Sequence, residues 1–433
     1  MGNSYFYPEN LIRTTMTTWN SCSIKRHISE ILIILFVSMI LLNLSCKKEP
    51  EPDPVLNDYL VSYEKVNNYS ASFIKILLNT MNTVYPGIDS LIEDVAYGID
   101  LYVIKYNTEY KGNPIVASGL VTIPVAQESF PILSFQNGTN TFKLNAPTVN
   151  PSEPMYTLLE MMASHGYIVV MADYLGFGET NSMLHPYYDK TSTNKVVMDL
   201  ILATQELIKD KDIKAEFNNK HFLMGYSQGG WATLAALKEA EANYKGKIDV
   251  VAASCGAGAY DLTAMSDYVL AQEIYPGPLY LPYFIYSRIT SGEIAQPLTK
   301  FFKEPFAARI PELFNGNYTN SEVDEQLTDT ISYLITDELR LNLDTAPDFA
   351  SLRAAMVTNS VPAWDPAALI RFVHGTSDLN VPPVQSEIIY NQFVSLGVDI
   401  SRVSLIPMPG ASHSSGLMPW GISSVLWFDS LKD

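Results

Sequence analysis

The stretch Gly225-Tyr226-Ser227-Gln228-Gly229 constrains this chain more than any other feature of its 433 residues. The apolar run Phe222-Leu223-Met224 before it has the length and composition of a buried strand. The residues after it, Trp231 to Ala240, are rich in the helix formers Ala, Leu, Lys and Glu. A serine between a strand and a helix, in a turn flanked by glycines, is held in a sharp backbone geometry that lifts its hydroxyl above the sheet edge. Glycine is required on both sides because a side chain there would collide with the adjoining strand and helix. The N–H groups at the start of the helix favour negative charge beside that hydroxyl. Ser227 is therefore the expected nucleophile.

The first 58 residues read as an address. Lys25-Arg26-His27 precede an apolar run, Ile31 to Leu42, which is short for a membrane span but suits the core of a signal peptide. Residues 1–15 are an unusual preface to it, and Met16 is an alternative start. Leu42-Asn43-Leu44-Ser45-Cys46 resembles a bacterial lipoprotein processing site, with Asn43 departing from the usual aliphatic residue. The expected layout is a signal peptide over 1–45, lipidation at Cys46, an extended tether rich in Pro and charge over 46–58, and a folded domain over 59–433. Such a chain is exported and held at the membrane of a bacterial cell envelope; ordinary secretion with Cys46 an incidental thiol is the alternative. The net charge of −18 argues against nucleic acid or an anionic membrane surface as partner. With Cys46 acylated and Cys22 removed, Cys255 has no partner for a disulfide. No cluster of Cys and His has metal-ligand spacing.

Along the chain, residues 55–95 carry apolar positions at helical spacing (Phe73, Ile76, Leu77, Met81) and suggest an N-terminal helical layer. Alternation then predicts an antiparallel hairpin, Tyr97 to Lys105 and Val116 to Pro124, turning at Lys111-Gly112-Asn113-Pro114. From Phe130 onward strand and helix alternate, which indicates a mainly parallel sheet covered on both faces. Strands are expected at 130–135, 167–172, 222–224, 250–254, 369–373 and 403–407. Residues 260–365 break this rhythm with Pro, Tyr and Phe and no clear strand. They are expected to form an inserted, largely helical cap.

A serine hydroxyl needs an adjacent base, itself oriented by a carboxylate. Downstream of Ser227 the histidines are His374 and His413. His413 lies in a Gly-rich loop past the last strand and is the expected base, while His374 ends a strand and is expected to shape the loop that presents Asp378. Asp378 is at a strand's carboxyl end, where ligand chemistry sits in open parallel sheets; its rival Asp399 falls at the opposite edge. Oxyanion donors are expected from the N–H of Gln228 and, in the loop Gln136-Asn137-Gly138-Thr139-Asn140, from Thr139. Asp173-Tyr174-Leu175-Gly176-Phe177-Gly178 lacks the lysine of a phosphate loop and reads as a shaping loop.

These residues together resemble the α/β-hydrolase superfamily and, within it, the secretory lipase group. The likeness is carried by Ala117 to Val121, Ala172 to Gly178, His185-Pro186-Tyr187, Gly225 to Gly230, and His374-Gly375-Thr376-Ser377-Asp378. The resemblance implies the α/β-hydrolase fold and ester hydrolysis through an acyl-serine intermediate, without metal or organic cofactor. Many relatives place His-Gly in the oxyanion loop, where this chain has Asn137-Gly138. An ester with an apolar acyl group is the expected substrate, contacted by Tyr226, His185, Tyr280 and Phe284. A serine exopeptidase of the same fold and a catalytically silent surface binding protein are the alternatives.

Overall fold

The computed structural model describes residues 57–85 and 87–432. The expected signal peptide, Cys46 and all of the tether but its last two residues lie outside them. Among the described residues, nine strands make one mixed sheet, ordered β1-β2-β3-β5-β4-β6-β7-β8-β9. They are β1 (Leu60–Tyr69), β2 (Ile99–Tyr110), β3 (Asn113–Pro124), β4 (Ser129–Gln136), β5 (Ile168–Ala172), β6 (Glu216–Tyr226), β7 (Val250–Gly256), β8 (Leu369–Gly375) and β9 (Val403–Met408). Pairs β1–β2, β2–β3 and β3–β5 are antiparallel. Every pair from β5 through β4 to β9 is parallel. The β2–β3 hairpin turns at Lys111-Gly112, both at positive φ (52° and 77°), a turn whose twist matches that of the strands.

Helices cover both faces. α1 (Ala71–Asn82), α2 (Asp89–Ile92), α3 (Pro154–Glu160) and, at the end of the chain, α14 (Leu417–Asp429) pack on one. α4 (Lys190–Leu207), α5 (Gln228–Asn243) and α13 (Val384–Ser395) pack on the other. Alternate residues of the central strands divide between the two cores. Ile132, Ile168, Val170 and Leu223 join one; Leu133, Val169, Met171, Phe222 and Met224 join the other. This double burial is why those strands read as unbroken apolar runs. Between β7 and β8 the chain leaves the sheet for α6 (Leu262–Ala271), α7 (Tyr280–Thr290), α8 (Phe306–Leu313), α9 (Asn320–Gln326), α10 (Ile331–Leu334), α11 (Asp337–Asn342) and α12 (Ala350–Asn359).

The first third of the expected N-terminal helical layer is instead strand β1. Only Leu60 in it is buried, so its side chains carry no periodic signal of a strand. Backbone pairing with β2 holds it, and the Glu206 carboxylate accepts from the N–H groups of Asp58, Tyr59 and Leu60 at 3.0, 3.0 and 2.7 Å. Two register shifts and the charged Glu64 and Lys65 suit a sheet edge. Helical spacing begins only at α1, whose Ser70 caps it by accepting from Phe73 N.

At the end of α3, Glu160 is 1% exposed and neither carboxylate oxygen has a hydrogen-bond partner. Burial pushes its pKa up to about 8. The folded carboxyl therefore keeps its proton where the unfolded one has lost it, so this group's contribution to stability declines as pH rises from about 4.5 to about 8. Glu160→Gln keeps the shape without the charge. Thermal unfolding followed across that range should show a flatter alkaline decline in the variant; parallel curves would contradict this account.

Candidate active site

From β4 the chain crosses to β5 on one side, and from β6 it leads to β7 on the other. The crevice between the carboxyl ends of β4 and β6 is thus the topological switch point, where open parallel sheets bind ligands. Register places Gln136 beside Gly225 there, so the loop after β4 faces the turn after β6. Ser227 sits in that turn at φ 61°, ψ −123°, a strained conformation for a residue with a side chain. Its N–H donates to Gly256 O at 2.9 Å, and its carbonyl accepts from Gly230 N at 2.9 Å. The flanking glycines are required by contact. A Cβ on Gly225 would lie 2.3 Å from Gly229 O, and one on Gly229 would lie 2.0 Å from Gln136 O.

Loops from the far side of the sheet bring two more side chains to Ser227. His413 Nε2 is 2.9 Å from Ser227 Oγ, and His413 Nδ1 is 2.7 Å from Asp378 Oδ2. The loops after β8 and β9 are tied together. Ser377 N donates to Ala411 O, Gly410 N donates to Thr376 Oγ1, and a Cβ on Gly375 would lie 2.3 Å from Ala411 O. Asp378 is buried; Asn380 N and Val381 N donate to its Oδ1 at 2.9 Å each. Burial alone would raise its pKa, but hydrogen bonds from His374 and His413, the His413 charge and the Val381 N–H prevail and hold it down at about 2. His374 is buried between Ser386 Oγ (2.7 Å) and Val381 O (2.8 Å), within the loop that presents Asp378. Asp399 is exposed and accepts from Ser401 N.

Gln228 begins α5, so its N–H belongs to the first turn and lacks a carbonyl four residues back within the helix. Thr139 lies across the crevice in the loop after β4. Its Oγ1 is 2.8 Å from Tyr187 OH, and its carbonyl accepts from Asn320 Nδ2 on α9 at 2.8 Å. Asn137 anchors the same loop by donating to Ala172 O at 2.7 Å. In the loop after β5, a Cβ on Gly178 would lie 2.1 Å from Asp173 Oδ2, in keeping with a shaping role.

Two residues expected against the substrate are placed elsewhere. His185 is buried rather than at the mouth: Leu175 O lies 2.7 Å from Nδ1, and Gln228 Nε2 lies 3.0 Å from Nε2. Burial lowers its pKa to about 4, so the ring is neutral, donating from Nδ1 and accepting at Nε2 from the Gln228 amide. Tyr226 turns under His413, to whose carbonyl its hydroxyl donates at 2.7 Å. Tyr226 ends β6, and the chain turns sharply at Ser227 just after it, so the two side chains do not continue one strand face. Tyr280 and Phe284, from α7, do line an apolar cavity that opens at Ser227 and is walled also by Tyr188, Leu262 and Val269.

The cap is fastened to this crevice by contacts that sequence reasoning missed. Tyr187 stacks on Tyr283, which stacks on Phe314, at centroid separations of 4.4 and 4.6 Å. Arg288 of α7 is fully buried and pairs with Asp189 at 2.9 Å, while its other nitrogen donates to Tyr187 O. Asp189 also caps α4 by accepting from Ser192 N. The contacts of Tyr187 and Asp189 with α7 span about a hundred residues of chain, a separation at which no local pattern could reveal them.

The family model described as Secretory lipase matches residues 141–281. A solved structure from Legionella pneumophila, given a provisional hydrolase assignment, is 26% identical at a TM-score of 0.77, covering 86% of this chain and 98% of its own. A variant of the rice cell wall degrading esterase LipA from Xanthomonas oryzae is 22% identical at a TM-score of 0.74, covering 87% of this chain and 98% of its own. Candida antarctica lipase A is 16% identical at a TM-score of 0.59, with coverages of 83% and 78%. No curated protein sequence matches the chain. The fold is that of the α/β-hydrolases, and fold and family match together define a carboxylic ester hydrolase. Within that class the chain resembles the secretory lipases.

Removing the Arg288 guanidinium would leave the Asp189 carboxylate and the Tyr187 carbonyl without their partner in a buried setting. Arg288→Ala should therefore cost about 3 kcal/mol, read as a lowered denaturant midpoint in urea unfolding. A midpoint equal to wild type would show that the pair contributes nothing to holding the cap.

Proposed function

We propose that this chain hydrolyses carboxylic esters through an acyl-serine intermediate. Ser227 Oγ attacks the ester carbonyl while His413 Nε2 takes its proton; His413 then returns the proton to the departing alcohol. Water repeats the cycle on the acyl-enzyme, with His413 again the base, and releases the acid. Asp378 holds the imidazole in the tautomer that leaves Nε2 free. Since its carboxyl is held at about 2, it stays ionised through the neutral range. The backbone N–H groups of Gln228 and Thr139 receive the oxyanion. The observation that carries this reading is the run of contacts from Asp378 to His413 to Ser227, at 2.7 and 2.9 Å, ending at a serine that opens into an apolar cavity. That cavity presents no charged side chain among its lining residues, which suits an acyl chain and gives a peptide terminus nothing to pair with.

A fluorophosphonate probe should label the protein once, on the peptide holding Gly225 to Gly229. Ser227→Ala should abolish labelling and aryl-ester hydrolysis while unfolding at nearly the wild-type temperature, because one hydroxyl at a site edge contributes little packing. Asp378→Asn should cut turnover by on the order of 10⁴-fold, and Asp399→Asn should leave it nearly unchanged. Undiminished hydrolysis by folded Ser227→Ala would falsify the mechanism. A wild type inert to esters but active on aminoacyl anilides would favour the exopeptidase, and one inert to both a binding protein.

The reading extends to export and anchoring. The short apolar run before Ser45-Cys46 supports a chain cleaved ahead of Cys46 and lipidated there, with residues 46–58 as a tether. Among the described residues no helix is long and apolar enough to cross a membrane. Intact-mass analysis of membrane-extracted protein should find a chain that begins at Cys46 with added acyl mass, and Cys46→Ala should release it. A different mature N-terminus without lipid would leave ordinary secretion.

A further inference from the structure

At the opposite, amino edge of the sheet, three segments that the proposed chemistry does not use converge. Asp94 lies between α2 and β2, His165 ends the 3-10 turn (Met161–His165) before β5, and Asp429 ends α14. One possible ligand atom from each lies within 4.8 Å of the other two. The His165 side chain is wholly buried, and neither ring nitrogen has a hydrogen-bond partner. An imidazole buried in this way loses its hydration without replacement, a cost that calls for a ligand.

The surroundings of His165 indicate what that ligand is. Its Nδ1 stands at an ion-pair distance of 3.6 Å from Asp429 Oδ2, too far for a hydrogen bond, and that oxygen too is buried without a hydrogen-bond partner. The other oxygen, Oδ1, accepts from Tyr167 OH and Lys432 Nζ, each at 2.9 Å. The carboxylate is thereby fixed by one oxygen with the second left facing the imidazole, the arrangement by which outer contacts orient a metal ligand. Lys432 also donates to His165 O, fixing the turn that carries the ring.

We propose that Asp94, His165 and Asp429 bind a zinc-class divalent cation that ties the approaches to β2 and β5 to the last helix. In a tetrahedral zinc site with bonds of about 2.0–2.1 Å, neighbouring ligand atoms stand roughly 3.4 Å apart, close to the His165–Asp429 separation. Asp94 is exposed and closes the remaining distance with a small side-chain movement. One imidazole with two carboxylates favours zinc over magnesium or calcium, which prefer oxygen alone. Two carboxylates facing one ammonium leave net negative charge for the cation to neutralise. Water completes the fourth position.

The test uses the full chain, stripped with a chelator and dialysed, then titrated with zinc chloride by calorimetry and followed by thermal unfolding. One zinc per chain and a saturable rise in Tm are expected, with little effect of magnesium chloride. Asp94→Asn and His165→Gln should each weaken zinc binding by about tenfold or more. Metal-free wild type and Asp94→Asn should hydrolyse an aryl ester equally, because neither change reaches the crevice. Absence of stoichiometric binding would overturn the site, leaving a His165–Asp429 ion pair only. Equal affinity in Asp94→Asn would overturn it too, by placing the zinc elsewhere, such as at His413. Since Asp94 is exposed, that variant decides the matter even if His165→Gln does not fold.

Discussion

The structure depends on one backbone conformation, the positive φ of Ser227. A residue with a side chain occupies that region at a cost of about 1–3 kcal/mol, so the surroundings must over-determine it. They do so by close approach. Gly229 and Gly230 let the turn come against Gln136 and Gly256, Gly225 lets it close on Gly229, any Cβ at these positions would collide, and Gly256 O accepts the Ser227 N–H. The same contacts align β4, β6 and β7 at their carboxyl ends, so the geometry that strains the serine also sets the crevice in which it stands. The loops carrying Asp378 and His413 are then joined to each other across β8 and β9, and Tyr226 supports the His413 loop from beneath.

Three buried carboxyls illustrate how the kind of donor decides whether burial is overcome. Glu160 has no donor and is pushed up to about 8. Asp173 receives the neutral donors Ser118 Oγ, Thr148 Oγ1 and Thr148 N, and burial still raises it to about 6. Asp378 has two imidazoles as well as backbone N–H groups, and falls to about 2. Desolvation acts on all three in the same direction. Only the carboxyl beside the histidines is held as an anion by its neighbours.

The cap contributes shape more than charge. Its α7 supplies Tyr280 and Phe284 to the cavity and sends Arg288 back to Asp189, while α9 reaches the loop of Thr139 through Asn320. The apolar cavity and the loop of Thr139 therefore both rest on the cap, one through α7 and the other through α9, and a loosened cap disturbs both.

Much of this was legible in the sequence because it is local. A strand, a glycine-flanked serine and a helix occupy consecutive residues, and period and turn chemistry place most of the parallel strands within a few residues of where they fall. The expectation of Asp378 and His413 rests on the loops that follow the last two strands. β1 was not legible, because an exposed edge strand is held by backbone pairing that leaves no pattern in its side chains. Nor were the positions of His185 and Tyr226, which looked like pocket residues but turn beneath the crevice. The cap's aromatic stack, the Arg288–Asp189 pair and the meeting of Asp94, His165 and Asp429 were decided by the tertiary structure alone. Their partners lie far apart in the chain, where periodicity, spacing and turn propensity have no reach, and only the folded sheet brings them together.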